Sequence, residues 1–167
     1  PLCKSRMFSR LKKKELRPEA ALIRCEELCA RAEQCGYELR RKLSGWGIGE
    51  EDSDAIISSL TRRRFLDENR YAAAFVRDKY RFARWGRRKI TMALQQKRID
   101  PDVIDEALGQ IDEDEYQSIL SKLLSMKAQT MERPLSYEDR TKLFRYALLR
   151  GFESGLASSL IKKLTSR

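Results

Sequence analysis

The strongest chemical signal in this sequence is a concentration of cationic side chains between residues 77 and 98. The segment has nine lysines and arginines against one carboxylate, Asp78, a net charge of +8 in a chain whose formal total is +10. The cations are Arg77, Lys79, Arg81, Arg84, Arg87, Arg88, Lys89, Lys97 and Arg98. Such a local field favours phosphate groups or an acidic protein surface, and binding of this kind weakens as salt rises. Solvated helix faces are the alternative explanation.

A basic triplet stands at a predicted helix start. Arg87, Arg88 and Lys89 directly follow Gly86, and cations at a helix N-terminus oppose the macrodipole by about 0.3 to 1 kcal/mol each. We therefore interpret the triplet as a site for an external anion or an acidic partner. A second triplet at residues 40–42 corresponds to it approximately.

Aromatic side chains are interleaved with these cations. They are Tyr71, Tyr80, Phe82 and Trp85. Together they could form a sequence-independent platform on which nucleic-acid bases stack, but aromatic residues at helical spacing also form cores. We assign Tyr71 and Phe75 to the core and leave both interpretations open for Trp85 and for Trp46, which lies at the matching break earlier in the chain.

No enzyme signature accompanies the charge. The chain has no histidine, which removes most pairings of a nucleophile with a base, and it has no phosphate-binding glycine loop. Cys25 and Cys29 lie on an apolar helical stripe, where cysteine behaves as a small hydrophobe, and a zinc site would need the distant Cys3 as its fourth ligand. We predict a non-enzymatic protein without metal or cofactor. With no apolar run near the roughly 18 to 20 residues that span a bilayer, we expect a cytoplasmic protein that does not enter membranes.

The elements that position these residues repeat along the chain. Five apolar positions recur in three copies: Leu39, Leu43, Ile48, Ile57 and Leu60; Ile90, Leu94, Ile99, Leu108 and Ile111; Leu143, Ala147, Phe152, Ile161 and Leu164. Regular recurrence of this kind is typical of tandem helical repeats. A further helix is predicted in front of each copy, over residues 19–34, 67–83 and 113–130, and Gly36 is predicted to end the first.

The predicted fold class is therefore all-α, an elongated tandem array of three three-helix modules that resemble helix-turn-helix repeats. The modules span residues 18–64, 65–111 and 112–167, after a basic and flexible arm at residues 1–17. Asp100-Pro101 and Ser136 with Asp139 are predicted helix caps. Acidic residues crowd the last helix of the second module and would repel phosphates, which argues against sequence-specific DNA reading.

The central stretch resembles a known family. FLDENRYAAAFVRDKYRFARWGRRKITMALQQKRI, at residues 65–99, is similar to the central motif of the bacterial RecX regulatory proteins, and GYELRRKLSGWGI and RTKLFRYALLRGFESGLASSLIKKL resemble their first and last modules. The resemblance covers residues 19–165. It implies binding to the RecA recombinase filament and restraint of its recombinase, ATPase and co-protease activities. Carried over by position, Arg77, Arg87, Arg88, Lys89 and Lys97 match the basic central region of the family, and Arg40, Arg41 and Lys42 match its first-module counterpart.

We thus predict a regulator of recombination and DNA repair, acting as a monomer on the RecA filament, with weak non-specific affinity for single- and double-stranded DNA. The candidate contact residues are Arg40, Arg41, Lys42, Arg77, Arg81, Arg84, Arg87, Arg88, Lys89 and Lys97. A general DNA-binding protein that coats single- or double-stranded DNA is the alternative, and a plain helical scaffold is a third reading. The last module has Glu138 and Asp139 before Arg140, which puts its share of the binding in question.

Overall fold

The computed structural model describes residues 16–165, and all regular secondary structure in that range is helical. The helices are α1 (Pro18–Arg31), α2 (Gly36–Gly45), α3 (Glu50–Arg62), α4 (Glu68–Arg81), α5 (Arg87–Gln96), α6 (Pro101–Gly109), α7 (Glu113–Ala128), α8 (Tyr137–Leu149) and α9 (Ser154–Thr165). The predicted all-α class is confirmed. The greater part of the basic arm, residues 1–15, lies outside the described residues.

Helix starts follow the predicted capping chemistry. The side chain of Asp100 accepts a hydrogen bond from the Asp102 N–H at 2.9 Å, with Pro101 as the first residue of α6. Ser136 and Asp139 form a reciprocal capping box at α8. Each such cap satisfies N–H groups that a helix leaves without an internal acceptor.

The predicted end of the first helix is wrong. α1 stops at Arg31, because Ala32 has an extended backbone with φ −161° and ψ 154°. Gly36 is the first residue of α2 instead of a terminator, and it is buried. A glycine between two helical patterns marks a boundary without saying on which side of it the helix lies.

The tandem repeat is confirmed by burial and by backbone geometry. The first three apolar positions of every copy are buried, at 0–7% exposure: Leu39, Leu43 and Ile48; Ile90, Leu94 and Ile99; Leu143, Ala147 and Phe152. The residue before the third position has a positive φ each time, 82° at Gly47, 57° at Arg98 and 89° at Gly151. The next N–H then returns to a carbonyl five residues back, as in Ile48 to Leu43 at 3.0 Å and Phe152 to Ala147 at 3.1 Å. This is the usual left-handed close of a helix.

The helices group into two compact units that divide between Leu66 and Asp67. In the first unit, α1 and α2 pack on α3 around a core that includes Leu39, Leu43 and Leu60. In the second, α4 packs on α5 and α6, α7 packs on α8 and α9, and α4 also contacts α7. The finer division into an arm and three modules stays a prediction.

Candidate functional site

The basic segment spans the end of α4, the turn after it, and α5 to just beyond its end. The turn is tight: Arg84 has φ 54°, and Gly86 is the N-cap residue of α5. The structure divides the segment's cations into a group engaged by the protein itself and a group directed to solvent. These two groups have different roles.

Arg87 belongs to the engaged group. Its guanidinium lies 2.7 Å from Glu113 and 3.2 Å from Glu153, and its Cζ is 4.2 Å from the centre of the Tyr116 ring. Its backbone N–H donates to the Tyr116 hydroxyl at 2.9 Å, and that hydroxyl donates to Glu153 at 2.8 Å. At the sequence level Arg87 was expected to serve an external anion or an acidic partner; in the structure it pairs with two carboxylates of the same chain, Glu113 and Glu153.

The ionisation of this cluster follows from its contacts. Burial opposes the charge on Arg87, but the hydrogen bonds to Glu113 and Glu153 outweigh it, so the pKa of Arg87 is raised. The hydrogen bond from Arg87 lowers the pKa of Glu113. Burial raises the pKa of Tyr116, and its bond to Glu153 adds to that rise, so Tyr116 stays a neutral donor. The cluster is a hydrogen-bonded tie between α5 and the elements that follow it.

The backbone at the start of α5 is also engaged. The Gly86 N–H donates to the Arg150 carbonyl at 2.8 Å, and the Arg88 N–H donates to the Gly151 carbonyl at 3.0 Å. A Cβ on Gly86 would meet the Gly151 carbonyl carbon at 2.2 Å. The start of α5 thus meets the turn between α8 and α9, main chain against main chain. Because the N–H groups of Gly86 and Arg88 serve this contact, the side chains of Arg88 and Lys89 are the part of the triplet that a partner can reach.

Arg81 and Arg77 are paired as well. The Arg81 guanidinium is 3.0 Å from Glu115, which also accepts a hydrogen bond from the Tyr80 hydroxyl at 2.8 Å. The hydrogen bond from the Arg81 guanidinium to Glu115 raises the pKa of Arg81. Arg77 lies 3.7 Å from its neighbour Asp78, with both side chains more than half exposed, a type of pair that contributes little. The acidic start of α7 pairs with both Arg81 and Arg87 and holds them in place.

Three lysines surround two aromatic rings. The Lys79 and Lys89 ammonium groups lie 4.9 and 4.6 Å from the centre of Trp85. Phe75 has Lys79 at 5.1 Å and Lys97 at 5.8 Å. Both rings are half-buried, whereas Tyr71 is buried as predicted. Because two cations already occupy the surroundings of Trp85, its ring is a support for lysines more than an open surface for bases.

Arg84 and Arg88 form the solvent-directed group, and both are exposed. Within residues 16–165, neither takes part in an ion pair. Two large apolar side chains of the same segment are exposed as well, Phe82 at 80% and Met92 at 61%. Met92 lies one turn after Arg88 on the outward face of α5 and was missed at the sequence level. Its position out of phase with Ile90 and Leu94 is the signal that would have found it. We call Phe82, Arg84, Arg88 and Met92 the outward patch.

The first triplet lies elsewhere, in the other unit. Arg40 pairs with Asp54, while Arg41 and Lys42 are exposed and line a polar groove with Glu38. The two triplets do not correspond in the repeat, because Leu39 matches Ile90 and the residue that matches Arg87 is Gly36. Arg40 therefore stands four positions deeper in its helix, on a turn whose N–H groups have acceptors within the helix.

Cys25 and Cys29 pack as apolar side chains in the first unit. Cys25 is fully buried in the core and Cys29 packs against that core. Burial, with Cys29 nearby, raises the pKa of Cys25 to about 11, which keeps the thiol protonated. Across residues 16–165, no helix combines the length and the apolar content that a bilayer crossing requires.

Comparison with known proteins identifies the family. The family model described as RecX, second three-helix domain, matches residues 67–108. The regulatory protein RecX of Clostridium botulinum (strain Alaska E43 / Type E3) is 30% identical over 158 residues, which cover 91% of this chain and 74% of that protein. The regulatory protein RecX of Vibrio parahaemolyticus is 30% identical over 126 residues, covering 75% and 79%. The one from Clostridium perfringens (strain 13 / Type A) is 29% identical over 159 residues, covering 92% and 74%.

Solved structures have the same fold. The crystal structure of RecX from Lactobacillus salivarius matches with a TM-score of 0.79 at 20% identity, covering 90% of this chain and 97% of that one. A second crystal structure, of regulatory protein RecX, matches with a TM-score of 0.78 at 21% identity, covering 87% and 73%. The relatives are named as regulatory proteins and not as enzymes. From these matches, this chain belongs to the RecX family of regulatory proteins.

Proposed function

We propose that this protein binds the RecA recombinase filament on DNA and inhibits its recombinase, ATPase and co-protease activities. The observation that carries the proposal is the exposure of the outward patch, in which Phe82 and Arg84 lie in the turn after α4 and Arg88 and Met92 lie one turn apart on α5. A ligand that offered only phosphate groups would interact favourably with the two arginines of the patch and would gain nothing from Phe82 and Met92. Exposed large apolar side chains gain from burial against another protein, at about 25 cal/mol per Å². A mixed patch therefore suits a filament, which offers phosphates and protein surface together, better than bare DNA.

The ten candidate residues divide into three roles in this proposal. Arg84, Arg88 and Lys89 contact the partner directly, and Arg41 and Lys42 provide a second contact in the other unit. Arg81 and Arg87 are positioning residues, because Glu115, Glu113 and Glu153 already hold their charges. Arg40, Arg77 and Lys97 contribute to the electrostatic field, which steers an anionic partner over about a Debye length, roughly 8 to 10 Å.

The first experiment measures ATP hydrolysis by RecA on single-stranded DNA as this protein is titrated. Inhibition is expected at amounts far below those that coat the DNA, and added competitor DNA should leave it in place. Inhibition that appears only as bare DNA becomes saturated, and that competitor DNA removes, would establish the general DNA-binding alternative. The absence of any salt-sensitive affinity for DNA or filament would leave a plain helical scaffold.

A variant pair tests the outward patch itself. Arg88→Glu combined with Met92→Ser changes two exposed side chains on one face of α5, and we expect the half-inhibitory concentration to rise roughly tenfold or more. Lys122→Glu, an exposed change of the same charge on α7, is the control and should inhibit as the parent does. Equal inhibition by both variants would reject this patch as the contact site.

A further inference from the structure

Two lysine side chains converge on one aromatic ring in the turn between α4 and α5. The Lys79 ammonium lies 4.9 Å from the centre of the Trp85 ring, and the Lys89 ammonium lies 4.6 Å from the same centre. The two positive charges are therefore closer to each other than the sum of these two distances. Lys79 is not one of the ten candidate contact residues, although its ammonium lies nearly as close to the ring as that of Lys89.

The backbone holds all three residues of this arrangement. Arg84 has φ 54°, and the next N–H, that of Trp85, returns to the Lys79 carbonyl at 3.0 Å, which is the usual left-handed close of a helix. Lys89 is the third residue of α5, and a Cβ on Gly151 would lie only 2.4 Å from the Lys89 Cβ. Because the backbone is held at both points, the two lysine side chains approach the ring from fixed positions.

Neither ammonium group has a carboxylate within ion-pair distance in residues 16–165. The Lys79 ammonium contacts the rings of Phe75 and Trp85, and the Lys89 ammonium contacts Trp85. An aromatic ring attracts a cation through its quadrupole and carries no net charge of its own. The two like charges therefore repel each other, and an anion placed between them would replace that repulsion by attraction.

A second ring with two neighbouring cations shows what distinguishes this pair. Tyr146 has the Lys127 ammonium at 5.5 Å and the Arg150 Cζ at 5.4 Å from its centre. Arg150, however, also donates to the Ala83 carbonyl at 3.1 Å, so one cation of that pair already has an acceptor. The ammonium groups at Trp85 each carry three N–H donors, which are directed to an acceptor outside the chain.

We propose that Lys79 and Lys89, held together by Trp85, form a binding site for two neighbouring phosphate groups. Ammonium groups pair with phosphate oxygens through charge-assisted hydrogen bonds, and two of them around one ring favour an anion with more than one charge. Trp85 is a positioning residue, because its ring sets the separation of the two cations. The phosphates belong to a nucleic-acid backbone or to a free polyphosphate. The inference rests on the proposed function for its setting, since a filament on DNA supplies such phosphates.

The test measures binding to the full chain without RecA, using two probes. Tripolyphosphate is titrated by calorimetry, and a labelled oligothymidylate is titrated by fluorescence anisotropy. We expect saturable binding, which Lys79→Gln should weaken roughly tenfold. Lys122→Gln, an equal loss of charge at an exposed position on α7, is the control and should bind as the parent does.

Substitutions of Trp85 separate positioning from net charge, because they leave the charge of the chain unchanged. Trp85→Leu removes the ring that gathers the two lysines and should weaken binding roughly fivefold. Trp85→Phe keeps an aromatic ring at the same place and should restore most of the affinity. Lys79→Gln, a change at a side chain outside the core, tests the site independently of any loss of stability in Trp85→Leu.

The two probes identify the source of the phosphates. Weakening by Lys79→Gln with the oligothymidylate alone assigns the site to a nucleic-acid backbone, and weakening with tripolyphosphate assigns it to free polyphosphate as well. Equal affinities of Lys79→Gln and Lys122→Gln for both probes would overturn the proposal, as would parental binding by Trp85→Leu. Since RecA is absent, a chain that inhibits RecA but fails here loses only this site. A chain that passes here but does not inhibit RecA loses only the proposed function.

Discussion

Removing one hydroxyl group from Tyr116 should loosen the second unit measurably. Tyr116→Phe keeps the buried ring, including its contact with Phe152 at 5.1 Å between centroids. It removes the acceptor for the Arg87 N–H at 2.9 Å and the donor to Glu153 at 2.8 Å. Losing two hydrogen bonds and leaving a shielded N–H without its acceptor costs about 2 kcal/mol. For a unit of this size, that corresponds to a fall in Tm of roughly 8 to 16 °C.

The chain supplies a selective optical readout. It contains two tryptophans, Trp46 before the division between the units and Trp85 after it. In a Trp46→Phe background, the fluorescence of Trp85 therefore reports unfolding of the second unit alone. Tyr137→Phe, which deletes the same atom from a side chain that is 78% exposed, is the control and should change the Tm by about a degree or less. If Tyr116→Phe shifts the Tm no more than this control does, the argument for a stabilising tie is refuted.

Three further substitutions test the contact between α5 and the turn after α8, the left-handed residue of the second repeat, and the ion pair of Arg87. Gly151→Ala would place a Cβ 2.4 Å from the Lys89 Cβ at a φ of 89°, and urea unfolding should detect a loss of about 3 kcal/mol or more. Arg98→Gly relieves a non-glycine φ of 57° and should raise the free energy of unfolding by roughly 0.5 to 1 kcal/mol in the same measurement. A decrease would show that interactions of the arginine side chain contribute more than the backbone strain costs. The hydrogen bond from Arg87 lowers the pKa of Glu113 in the folded state, so the stability it provides is present above the unfolded pKa of about 4.3 and is lost as pH falls through the folded pKa. Glu113→Gln should therefore flatten the decline in Tm between about pH 5 and pH 3. An unchanged slope would show that the pair of Arg87 and Glu113 does not contribute to the pH dependence of stability.

The register of the repeat was readable from the sequence because helical periodicity is local. Twelve of the fifteen apolar positions predicted from spacing alone are buried, and Ile57, Leu108 and Leu164 are half-buried. The helix caps at Asp100 and Ser136 follow the same logic, since each cap acts within one turn. The end of α1 was misplaced because a single glycine does not distinguish the end of one helix from the start of the next.

The role of Arg87 could not be predicted from local helical periodicity. Its carboxylate partners lie 26 and 66 residues further along the chain, and nothing in the local pattern brings them to α5. Only the packing of α7 and the turn between α8 and α9 does so. The left-handed backbone of Arg98 was, in contrast, within reach, because the equivalent positions in the other two copies are Gly47 and Gly151.

The meeting of Gly86 with the turn at Gly151 also bears on how the family can vary. At that point two backbones touch with no side chain between them, and a Cβ on Gly86 would overlap main-chain atoms of Gly151 and Phe152 at 2.2 Å. Surrounding side chains can diverge widely without moving such a contact, because it contains none of them. Homologues that keep both glycines should thus hold the second and third repeats at a common angle even at low identity, whereas a chain that loses either one must adopt a different angle or a different partner for α5.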